Sequence, residues 1–137
     1  MSSVKKKNLS TAILGAAMDV HKHLGPGLDC EVYLECLCHE FRRNGVSFRK
    51  NVIIPLEYRG IKLSRSTIIE LLVENEVVLR ILHADEILPV HVEQIKSLLR
   101  HSSKSTGILI NFNVLNLIDG YRKINYIHNE DQNSGSL

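Results

Sequence analysis

The sequence lacks any apolar run that approaches the roughly 18 residues a membrane helix needs. It also lacks a signal peptide, because the basic start, with lysines at positions 5 to 7, is followed by an amphipathic segment rather than by an apolar core. The 137 residues suit one domain, and a hydrophobic content of 44% is enough for a core. We therefore expect a soluble cytoplasmic protein with no membrane partner.

The chain has three cysteines, an odd number, so they cannot all form disulfide bonds within the chain. An odd number without a secretory signal indicates free thiols in a reducing compartment. Cys36, Cys38 and His39 lie close together in the sequence, but on a helix side chains two positions apart point about 200° away from each other. We expect these cysteines to be small core residues, and we predict no metal or other cofactor.

The chain has little excess charge of either sign. A net charge of +2 is too small to mark a nucleic-acid-binding protein. The charges are unevenly spread, however, because seven basic residues between positions 42 and 65 are accompanied by only one acid, Glu57. They form either a solvated basic surface or a set of phosphate contacts. The candidates for nucleic-acid binding are Arg42, Arg43, Arg49 and Lys50, and the other three basic residues are Arg59, Lys62 and Arg65.

Apolar residues recur at helical spacing in three segments. The first predicted helix runs from about residue 8 to Leu24, where Gly-Pro-Gly ends it. The second runs from Asp29, a candidate N-cap, to Asn44. The third begins at Pro89, which suits a first helical position, and ends at about residue 101. A single domain over 9–128 is predicted between a basic tail at 1–8 and a disordered tail at 129–137.

Five further segments are predicted strands. Residues 48–58 alternate and are rich in β-branched side chains, with Pro55 indicating an edge or a bulge before a turn at 59–60. Two apolar runs, 68–73 and 77–82, flank the polar break Glu-Asn-Glu and predict a hairpin. The last two strands are a buried one at 107–113 and an edge strand at 121–127. The order predicts an α/β fold, with a small mixed sheet flanked by helices.

Each run of the predicted hairpin carries one charge, Glu70 in the first and Arg80 in the second. An unpaired charge in a buried strand costs several kcal/mol, so each charge needs a partner, a metal or solvent. Because strand side chains alternate, both charges could also lie on a half-wet face of the sheet. If they are buried, we expect Arg80 to pair with Glu70 or with another nearby carboxylate.

Several short motifs are distinctive. They are the segment 13–21, Gly-Pro-Gly-Leu at 25–28, Val-Tyr at 32–33, Pro-Val-His at 89–91 with Gln94, and Gly-Ile-Leu-Ile-Asn-Phe-Asn at 107–113. These stretches resemble a bacterial family named for its GxxExxY motif, a branch of the PD-(D/E)XK nuclease superfamily. The resemblance covers most of residues 9–125.

The resemblance implies a core of helix, three strands, helix and strand, in which acids on the second and third strands bind Mg²⁺ beside a lysine. An additional acid often comes from the helix before the first strand. Mg²⁺ prefers such hard oxygen ligands. There it activates a water and neutralises charge on the scissile phosphate, while the lysine stabilises the charge that develops.

The functional positions of the family fall on residues that cannot all perform this chemistry. The glutamate of GxxExxY falls on Cys30, and the strand aspartate falls on Glu70. The Glu and Lys of the ExK motif fall on Arg80 and Leu82, while Gln94 remains of the peripheral polar set. Glu70 is therefore the one residual candidate for a metal ligand, and a fixed cation in the place of a ligand repels Mg²⁺.

We therefore predict a catalytically degenerate nuclease-like domain, in which the inherited nuclease site is lost and whose role is structural or interactive. Self-association to a homo-oligomer is expected if Leu82 and Leu98 form an apolar patch with Leu72 and Val78 on the former catalytic side. The alternative is that these side chains fold inward and fill their own cleft. Two alternatives stay open. One is a nucleic-acid-binding domain that does not cleave, and the other is an active Mg²⁺-dependent nuclease with a relocated site.

Overall fold

A computed structural model of the chain describes residues 9–128. Within this range the elements are α1 (Leu9–Leu24), α2 (Cys30–Arg43), β1 (Phe48–Tyr58), β2 (Ile61–Val73), β3 (Val77–Leu82), α3 (Pro89–Ser102), β4 (Thr106–Asn111), a 3₁₀ turn (Leu117–Gly120) and β5 (Tyr121–Asn125). The two predicted tails, 1–8 and 129–137, lie outside the described residues. None of the described helices is long and apolar enough to span a membrane.

The strands form one mixed sheet whose order follows the chain, β1-β2-β3-β4-β5. Neighbouring strands are antiparallel except for β3 and β4, which are parallel and are connected through α3. A parallel pair needs such a crossover, because its strands cannot be joined by a tight turn.

Helices cover both faces of the sheet and create two cores. Successive residues of β3 contribute to opposite cores: Leu79 belongs to the core under α1 and α2, and Val78 belongs to the core under α3. Strand β4 is buried from Gly107 to Asn111, which explains why its sequence is apolar without alternation. The predicted α/β fold with a small mixed sheet flanked by helices is confirmed.

Strand β2 differs most from the expectation, since it begins at Ile61 rather than at residue 68. Residues 61–66 are all exposed and mix polar with apolar side chains, so hydrophobicity alone did not mark them as a strand. They pair with β1 across the predicted turn at 59–60, and the register shift between Pro55 and Glu57 confirms the predicted bulge. We call residues 53–68, the outer part of this hairpin, the arm.

Tyr33 joins several of the short motifs into one packed cluster. Its ring stacks on Phe112 with centroids 4.3 Å apart and an interplanar angle of 5°. Its hydroxyl donates a hydrogen bond to the carbonyl of Gly25 and accepts one from the amide of Leu28 (3.1 Å). The Gly-Pro-Gly-Leu loop between α1 and α2 is thereby fixed against the end of β4, so these motifs serve the fold.

Asn111 is a fully buried polar residue at the end of β4. Its Nδ2 donates to the carbonyl of Ala84 (2.7 Å), and its Oδ1 accepts from the amides of Ala84 (3.3 Å) and Asn113 (3.2 Å). A buried amide is tolerated only when it is bonded in this way. The side chain therefore fixes the loop that follows β3, and with it the end of the strand that carries Arg80.

Candidate functional site

Strands β2 and β3 separate where the two charged residues of the hairpin lie. Their ladder ends at the pair Leu71 and Leu79, so continuing the register places Glu70 opposite Arg80. Beyond this point β2 continues into the arm beside β1, while β3 stays beside β4. The two charges therefore lie on either side of a fork in the sheet.

An inversion in the β1-β2 hairpin opens this fork. Asn51 is opposite Glu70 in register and has a φ of 54°, a conformation that asparagine adopts more readily than most residues. Phe48 packs on the core under α1 and α2, whereas Val52 packs on the core under α3. Residues an even number apart normally share a face, so the strand changes faces at Asn51.

The fork encloses a cavity of about 490 Å³. Glu70 and Arg80 supply its charges, and both side chains are half-buried. The remaining lining consists of neutral polar side chains and apolar ones, namely Asn51, Ser66, Thr67, Ile68, Leu79 and Leu98. The cavity thus combines one cation, one anion and an apolar wall.

The expected ion pair between Arg80 and Glu70 is absent from the described part of the chain. A carboxylate oxygen of Glu70, Oε1, instead accepts a hydrogen bond from the amide of Ile81 (3.4 Å). Arg80 has neither a hydrogen bond nor an ion pair with any residue of 9–128. The prediction was wrong because the diverging backbone offers Glu70 a nearby amide, which leaves the guanidinium facing the cavity.

Cys30, where the resemblance predicts the family's helix glutamate, lies close to the end of β3. Its thiol is 3.9 Å from the carbonyl oxygen of Ile81, the same residue whose amide contacts Glu70. Burial raises the pKa of the Cys30 thiol, and the negative charges of Glu70, Asp29 and Glu31 raise it further. This shift favours the thiol over the thiolate, and the thiolate is the nucleophilic form.

Leu82 and Leu98 do not form the exposed patch that the sequence suggested. They are 8% and 7% exposed and belong, with Leu72 and Val78, to the core under α3. The expectation was wrong because α3 packs directly over this part of β3 and fills the region with leucine side chains. These four residues therefore pack in the core, and of them Leu98 also lines the fork cavity.

The other predicted site residues lie apart from the fork. Gln94 is exposed on α3 and does not line the cavity. The guanidinium of Arg42 lies 5.2 Å from the centre of the Phe48 ring. Lys50 lines a separate small cavity beside Glu31 on α2.

Arg43 and Arg49 also have partners in the protein. Arg43 pairs with Glu40 (3.3 Å), and Arg49 donates to the side-chain oxygen of Asn75 (3.2 Å). The four candidate nucleic-acid-binding residues are thus exposed around the start of β1, and three of them already contact neighbours. Their spacing in the sequence did not indicate these contacts.

A metal centre would need several ligands in one place. Among residues 9–128, no three histidine, cysteine, aspartate or glutamate side chains are close enough together to hold an ion. Cys38 is buried and Cys36 half-buried on α2, as expected for small core residues. Glu70 is the one acidic side chain that lines the fork cavity.

The order of elements from α2 to β4 is helix, three strands, helix and strand, as expected of a PD-(D/E)XK core. The polar cavity lies where the second and third of these strands separate. A sequence model of the PD-(D/E)XK nuclease superfamily matches residues 7–124. The chain therefore belongs to the PD-(D/E)XK nuclease superfamily. No curated protein matches it, and no solved structure does. The narrower resemblance to the GxxExxY family stays a prediction.

Sequence reasoning identified the two charges of the fork but missed its neutral polar residues. Asn51 lies in the segment 48–58, which was predicted to be a regular strand. Ser66 and Thr67 lie just before the apolar run 68–73 and outside any predicted strand. An available signal was the asparagine itself, which interrupts a run of strand-forming residues and tolerates a positive φ. The hydroxyls of residues 66 and 67 gave no comparable sign.

Proposed function

We propose that this protein is a catalytically degenerate member of its superfamily that acts by binding rather than by cleavage. The observation that carries the proposal is the fork cavity, where the guanidinium of Arg80 lies opposite the one carboxylate, Glu70. A divalent cation bound by Glu70 would meet this fixed positive charge and would have no second carboxylate in the cavity. Without the metal, the fork lacks the group that would activate water against a phosphodiester.

Restoring carboxylates at the family positions tests this proposal. The double variant Cys30→Glu, Arg80→Glu is expected to bind Mn²⁺, because it removes the cation and adds two oxygen ligands near Glu70. Binding at a hundred times Kd would stabilise the variant by about 2.7 kcal/mol, which thermal unfolding with and without Mn²⁺ would detect. Arg80→Gln is the matched control, since it removes the cation without adding a ligand.

Native protein is expected to cleave neither DNA nor RNA in Mg²⁺ or Mn²⁺. Metal-dependent cleavage that disappears in Glu70→Ala would contradict the proposal. A double variant that remains folded but is not stabilised by Mn²⁺ would show that the fork no longer has the geometry of a metal site.

We further propose that the interaction role includes self-association through the arm. Its large apolar side chains are unusually exposed, among them Ile61 (63%) and Leu63 (45%). Ile53 and Ile68 form an exposed cross-strand pair, and Tyr58 pairs with Ile61 in the same way. These two pairs lie on opposite faces of the hairpin, so the arm offers exposed apolar side chains on both faces. Exposed apolar surface of this kind favours contact with a partner, and a second copy of the chain is the commonest one.

Light scattering on native protein and on the double variant Ile61→Lys, Leu63→Lys tests the arm as the interface. Native protein is expected to be an oligomer at micromolar concentration and the variant a monomer. Leu115→Lys is the matched control, because Leu115 is 88% exposed outside the arm. A native monomer, or an oligomer that persists in the arm variant, would exclude this surface.

Nucleic-acid binding without cleavage is a second candidate. The observation that favours it is a cavity between the arm and the end of α3, where Lys62, Arg100 and His101 outnumber the one acid in the lining, Glu57. Basic side chains gathered in this way suit phosphate groups, whose binding weakens steeply with added salt. Salt-dependent binding of DNA that is lost in Lys62→Gln, Arg100→Gln would favour this function over self-association.

A further inference from the structure

Arg80 is a half-buried cation without a partner among residues 9–128, and it lines the fork cavity. A guanidinium is always charged at neutral pH and offers several donors in one plane, which matches a carboxylate. Such a group, when it is partly removed from water and has no partner among the described residues, is available to an anionic group of a ligand. The first requirement on the ligand is therefore an oxyanion.

Glu70 sets the second requirement, because its carboxylate lines the same cavity. One of its oxygens accepts the Ile81 amide at 3.4 Å, which leaves further lone pairs free for a donor. The two charges of the lining sum to zero, so a phosphate dianion would be attracted by Arg80 and repelled by Glu70. A metal cation would be attracted by Glu70 and repelled by Arg80. A ligand that carries both signs on neighbouring atoms satisfies both residues.

The neutral part of the lining sets the third requirement. Ile68, Leu79 and Leu98 provide an apolar wall, and the volume of about 490 Å³ lies in the range of small-molecule sites. An apolar group on the ligand would be removed from water against this wall. The lining thus has a place for an anion, a place for a cation and a place for a hydrocarbon group.

We propose that the fork cavity binds a small zwitterion of the α-amino-acid class with an aliphatic side chain. Arg80 takes the carboxylate, Glu70 takes the ammonium group, and the wall formed by Ile68 and Leu98 takes the side chain. This inference rests on the proposed function, because a working metal site would occupy the same carboxylate. The fork would then have exchanged a metal ion for an organic ligand that bridges the same two strands.

Isothermal titration of the full chain with L-leucine tests the inference. Two analogues remove one charge each: 4-methylpentanoate lacks the ammonium group, and 3-methylbutylamine lacks the carboxylate. Each is expected to bind at least about tenfold more weakly than leucine, because each loses one charge-assisted contact. Inorganic phosphate and a nucleoside monophosphate are titrated in parallel.

Two variants assign the contacts. Arg80→Gln is expected to weaken leucine binding and to leave 3-methylbutylamine unaffected, whereas Glu70→Gln is expected to weaken leucine binding without weakening 4-methylpentanoate. Arg122→Gln, which removes an exposed arginine of β5 outside the cavity, is the control and should bind leucine as the native protein does.

Three results would overturn the inference: no leucine binding to native protein, tighter binding of phosphate or the nucleotide than of leucine, or leucine binding that both variants leave unchanged. Its failure is distinguishable from failure of the proposed function. Absent leucine binding together with absent nuclease activity overturns only the ligand assignment, whereas metal-dependent cleavage overturns the loss of catalysis.

Discussion

Replacing Leu82 with lysine, the residue that the ExK motif would have at this position, is expected to destabilise the protein by about 3 kcal/mol or more. Leu82 is buried in the core under α3 together with Leu98 and Ile95. The substitution removes this packing and places an ammonium group among apolar side chains, with no carboxylate in that core. Chemical denaturation of the native and variant proteins measures the difference.

The pH dependence separates burial of the charge from loss of packing. A lysine held in an apolar core has a lowered pKa in the folded state. Between that pKa and the ordinary value for lysine, the unfolded state binds the proton more tightly, so the destabilisation shrinks as the pH rises. Ile127→Lys, at a residue that is 84% exposed, should change stability little at any pH. A nearly neutral Leu82→Lys would mean that this end of β3 is open, as in a working nuclease.

Replacing Gly120 with alanine is expected to lower stability by at least about 2 kcal/mol, equivalent to a Tm roughly 6 to 12 °C lower. A Cβ atom at this position would fall on the backbone carbonyl of Asn111 and close to a methyl group of Val114. Backbone at the end of a buried central strand cannot shift as a flexible side chain can. Relief of the overlap would move β4 and weaken the Asn111 contacts that fix the loop after β3.

Gly15 provides a control with the opposite sign. It is exposed on α1, and a Cβ atom there would meet nothing within 4 Å. Gly15→Ala should therefore stabilise the protein by about 0.5–1 kcal/mol, since alanine loses less backbone entropy than glycine in a helix. Equal effects of the two substitutions in thermal unfolding would contradict the close approach at Gly120.

The two proposals for the fork and the arm concern neighbouring parts of the structure. The inversion at Asn51 turns Val52 and Ile54 toward the core under α3. It lies where Glu70 leaves the ladder with β3, and residues 61–66 of the arm beyond it are all exposed. One local change in the backbone thus borders both the cavity and the exposed part of the arm.

The sequence by itself determined most of the helices and strands and identified the two charged residues of the fork. Apolar spacing placed α1, α2 and α3 within a few residues, because each helix buries one stripe of side chains. The apolar runs placed β3 and β4 for a similar reason. The resemblance to the GxxExxY family placed its carboxylate and lysine positions on Cys30, Arg80 and Leu82, and this assignment stays a prediction.

Only the tertiary structure decided how those residues meet. Leu82 is buried because α3 crosses over β3, and Glu70 accepts a hydrogen bond from the Ile81 amide instead of pairing with Arg80, which has no ion pair with any residue of 9–128. Both outcomes depend on contacts between segments distant in the chain, which local periodicity does not encode. The exposed half of β2 was missed for a related reason. Its residues form a strand because they hydrogen-bond with β1, and their side chains show no alternation of apolar and polar residues that would predict a strand.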